Sequence, residues 1–132
     1  DGISISLSEF MGIPIVNVNL EEKVFRMFLD TGAQISYLQD DCIDRFPYAG
    51  CITDFYPGFG KFQTETRYIP LSINNQEFVI KCGRLPDLLG MSLSLANVQG
   101  ILGNEFFSNR LVGYFPRRQL LTINTNPLKR NQ

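Results

Sequence analysis

Histidine is absent from the 132 residues, and this absence excludes several classes of enzyme. Ser-His-Asp and Cys-His hydrolases use imidazole as their base, and almost all catalytic zinc sites use it as a ligand. We therefore expect any reaction of this chain to depend on carboxylates, Lys, Tyr, Ser or Cys.

A basic excess and a long apolar run are also missing. The formal net charge of −1 argues against a nucleic-acid partner, and we expect the adjacent Arg117 and Arg118 to be solvated. The longest uncharged apolar stretches have about ten residues, against the roughly 20 that a membrane-spanning helix needs. No span is predicted within this segment, and anchoring outside it is left open.

Cysteines are few, odd in number and without a CxxC pair. Cys42 and Cys51 could form one disulfide, but three buried or partly buried thiols in a reducing compartment fit better. This usage favours the cytoplasm or another reducing compartment.

The length and the strand-like alternation predict one all-β domain. Residues 1–123 are predicted to form that domain, followed by a polar tail over 124–132. Period-two apolar patterns predict a hairpin over residues 13–29 and strands at 3–7, 68–73 and 76–82, with a closing hairpin over 111–123. A turn at Asn74 and Asn75, which tolerate positive φ, is predicted to join the strands at 68–73 and 76–82. A helix is predicted at 104–111, while 83–99 is predicted to be a loop with a short helical turn. The sum favours a small closed or partly closed barrel.

Asp30 ends an apolar strand, where burying a carboxylate costs several kcal/mol unless hydrogen bonds or a proton compensate. Thr31 offers a hydroxyl, and Gly32 an amide that no side chain obstructs. On these residues alone, an ordinary turn in which the Asp side chain bonds to the following backbone and a functional carboxylate both remain open.

The passage FLDTGA, residues 28–33, resembles the active-site loop of the retropepsin-like aspartic proteases, the single-domain branch of that class. FYPGFGKFQ, residues 55–63, stands where the flap of these enzymes is expected. GILGNEFF, residues 100–107, is similar to their strand leading into a helix, and LVGYFPRRQLLTI, residues 111–123, to the terminal hairpin of cellular and bacterial members. The resemblance implies the small closed barrel of the retropepsin-like fold with one short helix in its C-terminal half.

What the resemblance implies for function is peptide hydrolysis by two carboxylates that share a proton, with water as the nucleophile and no metal or cofactor. Asp30 would be the catalytic residue, paired with its copy in a homodimer, and the substrate would be an extended peptide. Thr31 would bond across the dimer axis, and Gly32 and Ala33 would let backbone amides approach the carboxylates. The other implied residues are Ile101, Leu102 and Gly103 beneath the loop, and Tyr56, Gly58, Phe59 and Gly60 in the flap.

Some features depart from this family or leave other functions open. Asn104 stands where retroviral members commonly have Arg, and the chain ends in a hairpin and not in short interlocking termini. The same scaffold could serve as a non-catalytic peptide-binding or dimerisation module, or as a subunit whose partner supplies the other Asp. An unrelated β-barrel binding protein is a more distant alternative. Three nearby acids, Asp40, Asp41 and Asp44, lack the glycine and glutamate of a calcium loop, and we expect them to be solvated.

Overall fold

The computed structural model describes residues 2–107, 112–115 and 118–124 of the chain. Within these ranges the backbone forms eleven strands, two α-helices and a 3₁₀ helix. The strands are β1 (Gly2–Ser6), β2 (Ser8–Phe10), β3 (Ile13–Leu20), β4 (Lys23–Leu29), β5 (Ser36–Leu38), β6 (Tyr48–Tyr56), β7 (Gly60–Ile73), β8 (Gln76–Gly83), β9 (Gly100–Leu102), β10 (Val112–Phe115) and β11 (Leu120–Asn124). The helical elements are the 3₁₀ helix (Asp41–Arg45), α1 (Asp87–Leu95) and α2 (Asn104–Phe107).

The predicted hairpin before Asp30 is confirmed as β3 and β4. These strands pair antiparallel from Ile15 opposite Phe28 to Leu20 opposite Lys23. Val16 and Val18 are buried while the Asn residues between and after them are exposed, as expected when one strand face is turned to a core. The alternation in the sequence therefore fixes which face of this hairpin enters the barrel.

Six strands form a closed ring, which agrees with the predicted all-β barrel. The eight-stranded sheet has the order β2-β3-β4-β9-β5-β8-β7-β6, and β3 also pairs with β7 through Asn19 and Ser72. This extra pairing joins two strands that are distant in the sheet order, so β3, β4, β9, β5, β8 and β7 enclose a core. Strand β6 remains outside the ring, paired with β7 alone among the described strands.

The connection between β7 and β8 confirms the turn expected at Asn74 and Asn75. Both residues have positive φ, +50° and +68°, which a two-residue hairpin turn of type I′ requires and which Asn tolerates. The two strands pair from Arg67 opposite Cys82 to Ile73 opposite Gln76.

The chain ends meet in a second, three-stranded sheet. Strand β11 lies between β1 and β10 and pairs antiparallel with both, which confirms the predicted closing hairpin. Strand β11 runs to Asn124, one residue past the predicted domain end, and residues 125–132 of the predicted tail lie outside the described residues. The domain boundary itself stays a prediction.

The helices differ from the prediction of one helix at 104–111. Helix α2 comprises Asn104–Phe107, and the remaining residues of the predicted helix, 108–111, are not among the described residues. The stretch predicted as a loop instead holds the nine-residue α1, which starts after the extended Pro86 with Asp87 in its first turn, where a carboxylate favours the helix dipole. Leu93 of α1 is buried while Leu95 is exposed, so its apolar residues lie on both faces and no single apolar stripe marks the helix.

Neither helix in the described part of the chain is long and apolar enough to cross a bilayer.

The three cysteines are free thiols, so the disulfide between Cys42 and Cys51 does not form here. Cys51 is exposed and Cys82 is buried, and burial is the main cause that raises the pKa of Cys82. Burial, followed by a hydrogen bond to Asp40, raises the pKa of Cys42 to about 11. The prediction of three buried or partly buried thiols is therefore wrong for Cys51, whose place on the exposed strand β6 leaves it open to solvent.

Gly100 shows how closely β9 is held between its neighbours. A Cβ added there would overlap the carbonyl oxygen of Tyr37 and lie 2.9 Å from Cε of Met27. We expect Gly100→Ala to lower the free energy of unfolding by about 1–3 kcal/mol, the usual cost of overpacking a core, measured by urea denaturation.

Gly90→Ala in α1 is the matched control for that substitution. Its Cβ would meet only the amide end of the Gln39 side chain, whose hydrogen bonds to the Leu85 backbone would have to shift, and the preference of alanine over glycine in a helix, about 1 kcal/mol, offsets that cost. A denaturation midpoint that falls no further for Gly100→Ala than for Gly90→Ala would contradict the packing described for β9.

Candidate functional site

Backbone hydrogen bonds hold the loop that follows β4. The Asp30 N–H donates to the carbonyl oxygen of Leu102 at 2.9 Å, and the Asn104 N–H donates to the carbonyl of Ala33 at 2.7 Å. Within the loop, the Gly32 N–H donates to Oδ1 of Asp30 at 2.9 Å. The two ends of the loop are therefore fixed to the last residue of β9 and to the first residue of α2. The Asp30 carboxylate also accepts one backbone hydrogen bond from its own turn.

Gly103 lies directly against the back of this loop. Its N–H donates to Oγ of Ser36 at 3.0 Å, and the Ser36 side chain is completely buried. A Cβ at Gly103 would overlap the carbonyl group of Ile35 and lie 2.9 Å from the carbonyl oxygen of Ala33. These contacts fit the supporting role predicted for residues 101–103, which stays a prediction.

The β6–β7 hairpin reaches over Asp30 where the sequence predicts a flap. Gly58 and Gly60 have φ of +85° and +111°, so the turn at the tip needs glycine at both positions. Tyr56, just before the tip, faces inward, and burial followed by the charge of Asp30 raises the pKa of its hydroxyl. The predicted flap tyrosine and the predicted catalytic carboxylate are thus brought together.

The positions of Phe59 and Thr31 in the single chain do not test the roles predicted for them. The Phe59 ring lies edge-on to Phe62 with a centroid distance of 6.1 Å, and Phe59 lines neither of the two cavities that border Asp30. Thr31 is exposed on the loop. Its predicted bond across a dimer axis involves a second chain and remains a prediction.

The first cavity beside Asp30 has a volume of about 510 Å³ and a mostly apolar wall. It runs from the turn between β2 and β3 across the end of β4 to helix α1. Its lining comprises Phe10, Met11, Gly12, Ile13, Pro14, Phe28, Leu29, Asp30, Tyr56, Ser92, Leu93, Ala96 and Ile101. Apolar side chains of a ligand would find matching surface here.

The second cavity lies between the Asp30 loop and the flap and has a volume of about 330 Å³. Its lining comprises Asp30, Gly32, Ala33, Gln34, Tyr37, Asp54, Phe55, Tyr56 and Pro57. Inside it the Tyr37 hydroxyl donates a short hydrogen bond to Oδ2 of Asp54, and the Tyr37 ring also packs on Phe62. Tyr37 therefore joins β5, at the end of the Asp30 loop, to both strands of the flap. Burial, followed by this bond, raises the pKa of Tyr37, so the proton stays on the hydroxyl.

Two residues of this site, Tyr37 and Asp54, were not predicted as site residues. The signal for Asp54 was present, because Ile52, Asp54 and Tyr56 occupy the same strand face at period two. The Asp54 carboxylate interrupts the apolar face formed by Ile52 and Tyr56, and such an interruption marks a position that needs a polar partner. The partner of that carboxylate lies 17 positions away on β5, and only the fold reveals it.

The acids near the 3₁₀ helix form no metal site. Oδ1 of Asp40 accepts from the Cys42 N–H at 2.9 Å and so caps the helix. Asp41 and Asp44 both pair with Arg84, at 2.8 and 2.9 Å, on the surface. Among the residues that the structure describes, no group of three or more His, Cys, Asp and Glu is arranged to hold a metal ion.

Comparison with known proteins gives a match for the fold. No protein-family model and no curated protein matches the sequence. The fold matches 18 chains of known structure, among them a retropepsin-like aspartic protease from Rickettsia conorii. That match has a TM-score of 0.59 and 17% sequence identity, and it covers 93% of this chain and 89% of the other. The chain thus has a β-rich fold like that of a retropepsin-like aspartic protease.

Ser36 gives a test of how the Asp30 loop is supported. Ser36→Ala leaves the buried Gly103 N–H without its acceptor, so we expect unfolding free energy to fall by about 1–3 kcal/mol and hydrogen exchange at the Gly103 amide to accelerate. Ser94→Ala, at an exposed position of α1, is the control. It should change the free energy of unfolding by no more than a few tenths of a kcal/mol and leave the exchange rate at Gly103 unchanged. Unchanged exchange at Gly103 in the Ser36 variant would argue against this support.

Proposed function

We propose that this chain is an aspartic endopeptidase that hydrolyses extended peptides as a homodimer. The observation that carries the proposal is the position of Asp30, on a loop fixed by backbone bonds, at the border of two cavities and beneath a hairpin with a glycine-dependent tip. The likeness of the fold to a retropepsin-like aspartic protease supports it.

The proposed chemistry needs two carboxylates that share one proton. One carboxylate accepts a proton from water, whose oxygen attacks the scissile carbonyl carbon, while the protonated partner donates its proton to the carbonyl oxygen. In the second step the carboxyl that took the proton of water donates it to the amide nitrogen, the carbon–nitrogen bond breaks, and the other carboxylate accepts the proton of one hydroxyl as the carbonyl forms again. Two carboxylates that share one proton titrate as a pair and not as separate groups.

A homodimer supplies the second carboxylate in the simplest way. One Asp-Thr-Gly occurs in these 132 residues, and a two-fold axis between two copies would bring two of them together. Asp54 borders the same cavity as Asp30, but its Oδ1 and Oδ2 already accept from the Phe55 N–H and the Tyr37 hydroxyl. Thr31 and Gly32 are exposed in the single chain, so the tip of the loop is open to a second copy.

The flap would supply closure over the peptide. Gly58 and Gly60 give its tip the backbone freedom to move, and Tyr56 lies where it can cover a bound peptide and exclude water beside Asp30. Phe59, at the tip, would join that cover when a peptide is bound. The apolar wall of the first cavity favours substrates with apolar side chains near the scissile bond.

Asp30→Asn tests the chemistry directly. An amide cannot accept the proton of water, so we expect cleavage of a peptide library between about pH 3 and pH 7, and its inhibition by pepstatin-type compounds, to be lost with an unchanged circular dichroism spectrum. Asp41→Asn is the control because that carboxylate is exposed on the surface and pairs with Arg84. Retained cleavage by the Asp30 variant would overturn the mechanism.

Sedimentation of the wild-type chain over a range of concentrations separates the enzyme from its rivals. We expect a concentration-dependent dimer, and specific activity that rises with the dimer fraction. A dimer that binds peptides without cleaving them would indicate a binding or dimerisation module on the same scaffold. A strict monomer at high concentration would contradict the homodimeric enzyme and leave a subunit that needs a different partner.

A further inference from the structure

The second cavity, between the Asp30 loop and the flap, carries two carboxylates and no cationic side chain. Asp30 and Asp54 are the only charged residues among the described residues that line it. Among the ion pairs of the described part of the chain, none includes Asp54. The cavity is therefore a place of negative potential beside the proposed catalytic residue.

Strand geometry turns Asp54 toward this cavity. It alternates with exposed Thr53 and Phe55 on β6, and it lies opposite Phe62 on β7. Its two hydrogen-bond donors, the Tyr37 hydroxyl and the Phe55 N–H, are both neutral. They fix the carboxylate in place but leave its charge uncompensated, and an ionised carboxylate retains further acceptor capacity beyond these two bonds.

A peptide that covers this cavity removes water from Asp54. If the covering side chain is apolar, the carboxylate loses hydration and receives nothing in exchange, which is costly for a charged group. If the side chain carries an ammonium or guanidinium group, a charge-assisted hydrogen bond compensates the loss. The contrast with the apolar wall of the 510 Å³ cavity makes the two cavities selective for different side chains.

We propose that the second cavity binds a cationic side chain of the peptide substrate and that Asp54 is the specificity-determining residue. This inference rests on the proposed function and deepens it, because it names the substrate class. The volume of about 330 Å³ admits one long side chain, and the Tyr37–Asp54 hydrogen bond keeps the carboxylate directed at it. Substrates would then combine apolar residues with a lysine or arginine at one fixed position.

The test uses peptides that differ only in an ammonium group. A lysine is moved through each position of a cleaved peptide and compared with norleucine, which has the same hydrocarbon chain without the charge, at about pH 6, where model carboxylates are ionised. At one position we expect kcat/KM of the wild-type chain to favour lysine by about tenfold or more, the size of one hydrogen bond to a charged group. Equal rates for lysine and norleucine at every position would overturn the inference.

Three variants separate the charge of Asp54 from other effects. Asp54→Asn keeps an oxygen acceptor for Tyr37 but removes the charge, and we expect the lysine preference to vanish, because lysine loses its ionic partner and norleucine no longer covers a charged group. Tyr37→Phe removes the bond that directs the carboxylate but leaves the charge, so the preference should weaken without vanishing. Glu77→Gln removes an exposed charge on β8, outside both cavities, and should change neither rate. A preference lost equally in the Tyr37 and Asp54 variants would show that cavity shape, and not charge, sets the selectivity.

A binding measurement keeps this inference separate from catalysis. The Kd values of the lysine and norleucine peptides are measured by calorimetry on Asp30→Asn, and again after Asp54→Asn is added. A tenfold preference for lysine that disappears in the double variant supports the role of Asp54 even if no peptide is cleaved, in which case the proposed hydrolysis alone fails. Equal Kd values on Asp30→Asn would overturn the role of Asp54, whether or not the wild-type chain is an enzyme.

Discussion

The close contact between the Asp30 loop and the segment after β9 is the constraint on which the site depends. The Asp30 amide bonds to the Leu102 carbonyl, and Gly103 lies so near the Ile35 carbonyl that no side chain fits between them. Because Leu102 ends β9 and the other three residues directly adjoin β4, β5 or β9, the position of the carboxylate is set by strands of the barrel and not by the loop alone.

The same barrel determines how the β6–β7 hairpin is attached. Strand β7 belongs to the ring for part of its length and then continues beyond it into the hairpin, whose tip has glycine at two positions of positive φ. Tyr37 adds a side-chain connection from the ring to the middle of the hairpin through Asp54 and Phe62. The ring thus supports the hairpin at its base, and Tyr37 fixes Asp54 in the cavity that Asp30 also borders.

Local sequence patterns predicted those parts of the fold that local physics determines. The alternation in β3 and β4 and the Asn74–Asn75 turn could be recognised because period and φ preference are encoded within a few residues. Helix α1 could not be recognised from the sequence, because Gly90 and apolar residues on both of its faces obscure the helical period. For the site, the motif predicts a catalytic Asp30 and a flap, and both stay predictions, whereas the Tyr37–Asp54 hydrogen bond depends on how β5 and β6 meet in space. No local pattern contains that information.

The three-stranded sheet of the chain ends has a consequence for assembly. Strand β11 finds both of its neighbours, β1 and β10, within its own chain, so no strand has to be borrowed from a second copy for this sheet to form. Folding is then a first-order process, while the proposed pairing of two Asp30 loops is second-order. At low concentration the folded single chain would then predominate, and the fraction of the proposed dimer would rise with concentration.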